Sequence, residues 1–189
     1  MTKRGLIELY EKQYFYELDR IDKGNTEFQH LFVMLVAQYS SLVFLLDRLS
    51  KLSFDLSVVP IDFLAAAIFL STLISTGLAS WQFKKAWRGD FYSFLPVPKE
   101  TENYLQSLRK LYQPYKEKES LIEMGMKRYT RKYFIDCTVT NTDINDRRAI
   151  YRNHVNKYLM LSFFQSITCA FMIYYPMFKD ILSRFIKQV

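Results

Sequence analysis

The chain has 189 residues and a formal net charge of +7; half of its residues are hydrophobic, with only five Gly, five Pro and two Cys. So little Gly and Pro argues against a loop-rich β fold, and Cys137 and Cys169, which have no CxxC spacing, exclude a disulfide framework and are expected as reduced thiols. The mean hydropathy is near zero because charge-free apolar blocks alternate with blocks dense in Lys, Arg and Glu, so the blocks carry the reading.

Residues 1–30 are strongly charged and lack the early apolar core and cleavage site of a signal peptide. Leu6, Leu9, Tyr10, Phe15, Leu18 and Ile21 fall at helical spacing, which predicts an amphipathic helix over residues 5–29, with Lys23-Gly24-Asn25 as its stop signal. Residues 31–46 contain no charge, and Leu49 and Leu52 continue the apolar face past Asp47 and Arg48. This block is short for a bilayer core of about 30 Å, and snorkelling by Arg48 extends it. Residues 47–62, with Pro60, read as a short connection to residues 63–83, a second charge-free block and the strongest span in the chain. Trp81 and Trp87 stand where interfacial anchors belong, with Lys84, Lys85 and Arg88 beside them.

Between Lys84 and Lys157 the chain carries sixteen basic and nine acidic side chains, a surplus of seven that equals the whole net charge. Such a surplus favours anionic partners: phospholipid headgroups, nucleotides or nucleic acid. Pro96 and Pro98 break the helix, Thr101 and Glu102 open a new run, and Pro114 interrupts it. A helix is predicted over residues 115–134, a connection over 136–145 with Asp143-Ile144-Asn145-Asp146 as an N-cap, and a long helix from Asp143 into the third apolar block, the two forming an antiparallel hairpin. That block, residues 158–178, is charge-free but includes Ser162, Gln165, Ser166, Thr168 and Pro176; spanning, packing on the first two spans and lying at the interface all remain open.

The expected architecture is all-α: an amphipathic helix (1–30), a transmembrane hairpin (31–83), a basic helical region (84–157), and a third hydrophobic helix with tail (158–189). Five Lys and Arg precede the first span, two lie between the spans and sixteen follow the second. The positive-inside rule then puts the N-terminus and the basic region in the cytoplasm, which in a bacterium means a chain of the inner membrane.

Catalysis finds little footing. The only histidines are His30 and His154, and no Ser-His-Asp order, phosphate-cradling Gly loop or metal-ligand spacing appears, so neither an enzyme, a cofactor nor a metal is expected. In the second span Ala67, Ser71, Ser75 and Ala79 fall at i, i+4 spacing, with Thr72, Thr76 and Ser80 in the adjacent row. Small hydroxylated residues serve close helix packing or, in an oligomer, line a narrow aqueous path. Asp62 opens the same helix, as a complement to its dipole or as a cation-selecting ring at a pore mouth. Lys127, Arg128, Arg131 and Lys132 share one helix face interleaved with Tyr129 and Tyr133, and Arg147, Arg148 and Arg152 repeat the arrangement beside Tyr151. Such a surface holds phosphates while bases stack on tyrosine, or is simply a solvated positive face.

The short N-terminal helix, the tight two-span hairpin, the Trp81-Gln82-Phe83-Lys84-Lys85 exit and the helical hairpin beyond it resemble the SLATT-type membrane effectors of bacterial nucleotide-signalling antiphage defence, and in size the membrane components of Hailong-type systems. The third apolar block is a departure from that layout. The resemblance implies a homo-oligomeric channel, a tetramer in the favoured form, gated by a nucleotide or single-stranded DNA oligomer from a partner nucleotidyltransferase, with opening that arrests or kills the infected cell. The competing expectation is a non-conducting membrane anchor for a cytoplasmic partner.

Overall fold

A computed structural model describes the backbone of residues 3–50, 59–88 and 91–186 and the side chains of 5–50, 63–88 and 91–175. Four helices follow one another: α1 (Lys3–Leu49), α2 (Val59–Trp87), α3 (Pro98–Tyr112) and α4 (Lys118–Ile186), and no strand occurs among the described residues. Three of these helices, α1, α2 and α4, are long and apolar enough to cross a membrane.

Two expected breaks are absent. Helix α1 runs straight through Gly24, which keeps a negative φ. A left-handed residue is what makes a glycine a helix stop, and here the packing on both sides demands continuation. Tyr14, Glu17, Gly24, Phe28, Leu31, Leu35, Gln38, Leu42 and Leu45 are buried, with Ile21 half-buried, an unbroken alternation of three- and four-residue steps. That heptad stripe keeps one seam facing inward for nine turns, and a break at Gly24 would have dislocated it.

Helix α4 likewise passes through residues 136–145, where a connection was expected. Asn and Asp favour caps because their side chains compete for backbone partners. Here Asn141 and Asn145 are buried and spend that capacity on other elements. Asn141 Oδ1 accepts from the Ser93 amide at 2.8 Å and its Nδ2 donates to the Ser93 carbonyl at 2.9 Å. Asn145 Nδ2 donates to the Glu17 carboxylate at 2.9 Å, and Asn145 Oδ1 accepts from the Tyr92 hydroxyl at 3.0 Å.

The chain divides into two compact units, Met1–Asn25 with Gly89–Arg148, and Thr26–Arg88 with Ala149–Val189. In the first, the basic unit, Tyr14, Phe134 and Cys137 form a core flanked by Ile7, Tyr10, Leu18 and Leu95. Its helical hairpin pairs α3 with the start of α4, not the two segments expected on either side of residues 136–145. The reversal occupies residues 113–117, where Pro114 ends the possibility of a continuous helix. Pro98 starts α3, where its missing N–H costs nothing.

In the second, the membrane unit, α1 and α4 run parallel and α2 runs antiparallel to both. Leu31 and Leu35 pack with Ala79, Val155 and Leu159 at one level, and Leu42 and Leu45 with Phe69 and Cys169 at another. Its polarity is inverted relative to a water-soluble bundle. Gln38, Thr72, Ser75, Thr76, Ser162 and Ser166 are buried, while Val43, Leu70, Ile74, Phe164, Ile167 and Phe171 are exposed. Large apolar side chains outward and small polar ones at the helix contacts are the distribution that lipid selects.

Candidate anion-binding cleft and membrane interior

Two turns of α4 in the basic unit place Arg128, Lys132 and Asp136 in one row and Tyr129 and Tyr133 in the next. Helix α3 returns antiparallel and lays Tyr104 on Tyr129, the rings stacked with centroids 4.1 Å apart and 15° between planes. Tyr133 meets Tyr129 edge-on at 4.7 Å. These six residues line a cleft of about 350 Å³. A neighbouring groove of about 220 Å³ shares Arg128, Lys132 and Asp136 and adds Arg131 and Ile135.

The cleft's charge is available to a ligand. Neither Arg128 nor Lys132 has a carboxylate within 4.0 Å among the described residues, whereas the cations around them are engaged: Lys127 with Glu123, and Arg131 over the Tyr10 ring at 5.6 Å. Pairing with Lys127 holds the Glu123 carboxyl below its ordinary value. Partial desolvation, then the hydrogen bond and charge of Tyr133, push the Tyr129 phenol above its own, so it stays neutral and able to donate at physiological pH. Two unpaired cations beside three aromatic rings suit a phosphorylated ligand with a planar base. Asp136 disfavours phosphate at its end of the cleft and accepts from an amine or hydroxyl.

Four of the nine expected ligand-binding residues, Arg128, Tyr129, Lys132 and Tyr133, therefore meet in one cleft, with Arg131 on the adjoining groove. Lys127 faces Glu123 instead, and the second basic cluster does not join them. Arg147 pairs with Asp143 at 3.1 Å. Arg148 donates to the Tyr92 hydroxyl and lies over that ring. Arg152 belongs to the membrane unit, 2.9 Å from the Glu27 carboxylate and over the Phe28 ring. Tyr104 and Asp136 were missed. Asp136 lies at i+4 from Lys132 and i+8 from Arg128, a spacing visible once residues 136–145 are read as helix, and Tyr104 follows from folding α3 back about Pro114.

Of the expected pore-lining residues, Thr72, Ser75 and Thr76 are buried within the three-helix unit of a single chain. Thr72 Oγ1 donates to the Ile68 carbonyl, Thr76 Oγ1 to that of Thr72 and Ser80 Oγ to that of Thr76, each at 2.8–2.9 Å. Ser71 accepts from Gln165 Nε2 at 2.8 Å, and Ser80 also pairs with the Tyr39 hydroxyl at 2.8 Å. Gln38 Nε2 donates to Ser166 Oγ at 2.8 Å, and the carbonyl oxygens of both Gln38 and Gln165 are buried without a partner. The Asp62 side chain lies outside the described residues. Of the interface residues, Trp81 stands beside Lys84 and Lys85, and Trp87 stacks on Phe83 with centroids 6.0 Å apart.

No family model, curated protein or solved structure matches this chain.

Proposed function

We propose that the chain is a ligand-controlled membrane effector: the basic unit binds a nucleotide or single-stranded DNA oligomer in the Tyr104/Arg128/Lys132 cleft, and a homo-oligomer of the membrane unit conducts ions under its control. The observation that carries this reading is the pair of cations Arg128 and Lys132, neither in an ion pair among the described residues, set beside three tyrosine rings in one cleft of about 350 Å³. The polar seam from Gln38 to Ser166 and Gln165 to Ser71 supports the second half, because an anchor needs no partnerless carboxamide oxygens in lipid.

Residues of α1 before Asn25 pack with residues 91–148 in one unit, which supports reading both on one side of the bilayer. On this reading the chain between them crosses twice, through α1 and α2, and the apolar part of α4 crosses once more. The basic surplus favours the cytoplasm for the basic unit. The layout resembling SLATT-type effectors supplies the setting: antiphage defence in a bacterial inner membrane, with a nucleotidyltransferase making the ligand.

Reconstituted in liposomes holding a potassium gradient, the protein is expected to pass ions at a rate that changes on adding ATP or short single-stranded DNA. Liposomes tight under every ligand would remove the channel. The second reading, a non-conducting anchor for a cytoplasmic partner, draws on Thr72 and Thr76, whose hydroxyls are turned inward and satisfied within their own helix.

A further inference from the structure

The rim of the membrane unit where α2 ends beside α4 carries cations that the cleft reading does not use. Lys85 Nζ lies 5.4 Å from the centroid of Trp81 on its own helix and 5.9 Å from that of Tyr151 on α4. Lys84 Nζ shares the Trp81 ring at 5.8 Å. Two rings on two helices thus hold one ammonium in place, at little conformational freedom and with no change in its charge, since a ring quadrupole attracts a cation without neutralising it.

The contrast with Arg152 on the same unit is informative. Arg152 also lies over a ring, that of Phe28, but Glu27 compensates it at 2.9 Å. Neither Lys84, Lys85 nor Arg88 has a carboxylate within 4.0 Å among the described residues, so three positive charges remain at this edge. Apolar surface adjoins them: Trp81 is 55% and Trp87 64% exposed, and Leu78 and Ile74, one and two turns before Trp81 on α2, are exposed as well.

We infer that this rim is a binding site for the headgroup of an anionic phospholipid, with Lys85, held between Trp81 and Tyr151, at its centre. The charge calls for phosphate, and the exposed indoles and aliphatic side chains calls for acyl chains; only a lipid brings both. A free phosphate would use the lysines and leave the apolar part bare. The inference rests on reading α1, α2 and α4 as spans and is independent of any nucleotide in the basic unit.

The chain's only two tryptophans are Trp81, beside Lys84 and Lys85, and Trp87, so tryptophan fluorescence excited selectively over tyrosine reports on this end of α2. In bilayers of phosphatidylcholine containing a minor fraction of phosphatidylglycerol, the acyl chains of one lipid or the other are brominated, and quenching is compared at equal mole fraction. Brominated phosphatidylglycerol is expected to quench about two- to fivefold more, as local enrichment by two or three nearby cations requires. K85Q should lose about half of that excess and K84Q/K85Q nearly all of it, while K110Q, an equal charge change on α3, leaves it intact. Equal quenching by the two lipids, or an excess untouched by K84Q/K85Q, overturns the site. Loss of the excess on adding inorganic phosphate would make the occupant a soluble anion and overturn the lipid. No quenching by either lipid would instead remove the spans themselves.

Discussion

Gln38 on α1 and Ser166 on α4 share a hydrogen bond of 2.8 Å at a level of the membrane unit where both side chains are buried. The bond fastens two parallel helices, yet the Gln38 carbonyl oxygen has no partner. Hydrogen bonds between membrane helices contribute only about 0.6 kcal/mol on average, and an unsatisfied oxygen subtracts from that. Replacing Gln38 by the similarly shaped Met is therefore expected to shift stability by less than about 1 kcal/mol. Ion flux is expected to fall sharply if the polar seam conducts. Unfolding in detergent and liposome flux, measured on the same preparation, separate the two; unchanged flux in Q38M would exclude Gln38 from any conducting path.

The hairpin of α3 and α4 depends on a close approach. A Cβ at Gly125 would lie 2.9 Å from Leu108 Cδ1 and 3.2 Å from Cδ2. Alanine gains about 1 kcal/mol over glycine in a helix, while crowding a packed leucine costs about 1–3 kcal/mol. G125A should consequently leave the native chain between unchanged and about 2 kcal/mol less stable, but stabilise the L108A variant by about 1 kcal/mol, where the leucine is gone. A double-mutant cycle on thermal unfolding in detergent checks the coupling. Additive effects would show that Leu108 relaxes freely and that the two helices are not held at this distance by the glycine.

Much of this fold was legible in the amino-acid order. Charge-free runs over residues 31–46, 63–83 and 158–178 marked the three apolar helices, and Pro114 marked a helix break, although the hairpin connection was expected at residues 136–145 and not there. What escaped were the positions where a polar or small residue occupies the inward seam. Gly24 and Glu17 keep the three-four alternation of α1 but are invisible to a scan for apolar residues. Asn141 and Asn145 read as a cap because their partners, Ser93, Tyr92 and Glu17, are distant in sequence. Tertiary bonding overrode local propensity at both places. The Arg128/Lys132 face was visible as a helical repeat, whereas Tyr104 enters the cleft only through the packing of Leu108 on Gly125.

Binding in the cleft is expected to weaken with loss of either cation. R128Q and K132Q should each reduce affinity for single-stranded DNA by roughly tenfold at low salt, and each should lower the slope of log affinity against log salt by about 0.7, the contribution of one phosphate contact. Fluorescence anisotropy across a salt series gives both quantities. K127Q serves as the comparison, because Lys127 already pairs with Glu123. An equal loss in K127Q would mean that general positive charge, not this cleft, attracts the ligand.

The tyrosine stack yields a sharper test of the same cleft. Tyr104 and Tyr129 occupy each other's faces, so a base can stack only by replacing one ring or extending the pair at its open side. Y104F keeps the ring and should bind normally; Y104A removes it and should lower affinity by about 1–3 kcal/mol if Tyr104 is a platform for the base. If Tyr104 instead blocks the site, Y104A should tighten binding, since the ligand no longer displaces it. Either change locates the base beside Tyr129, whereas identical affinity in native, Y104F and Y104A proteins would remove stacking from recognition and leave only the phosphate contacts of Arg128 and Lys132.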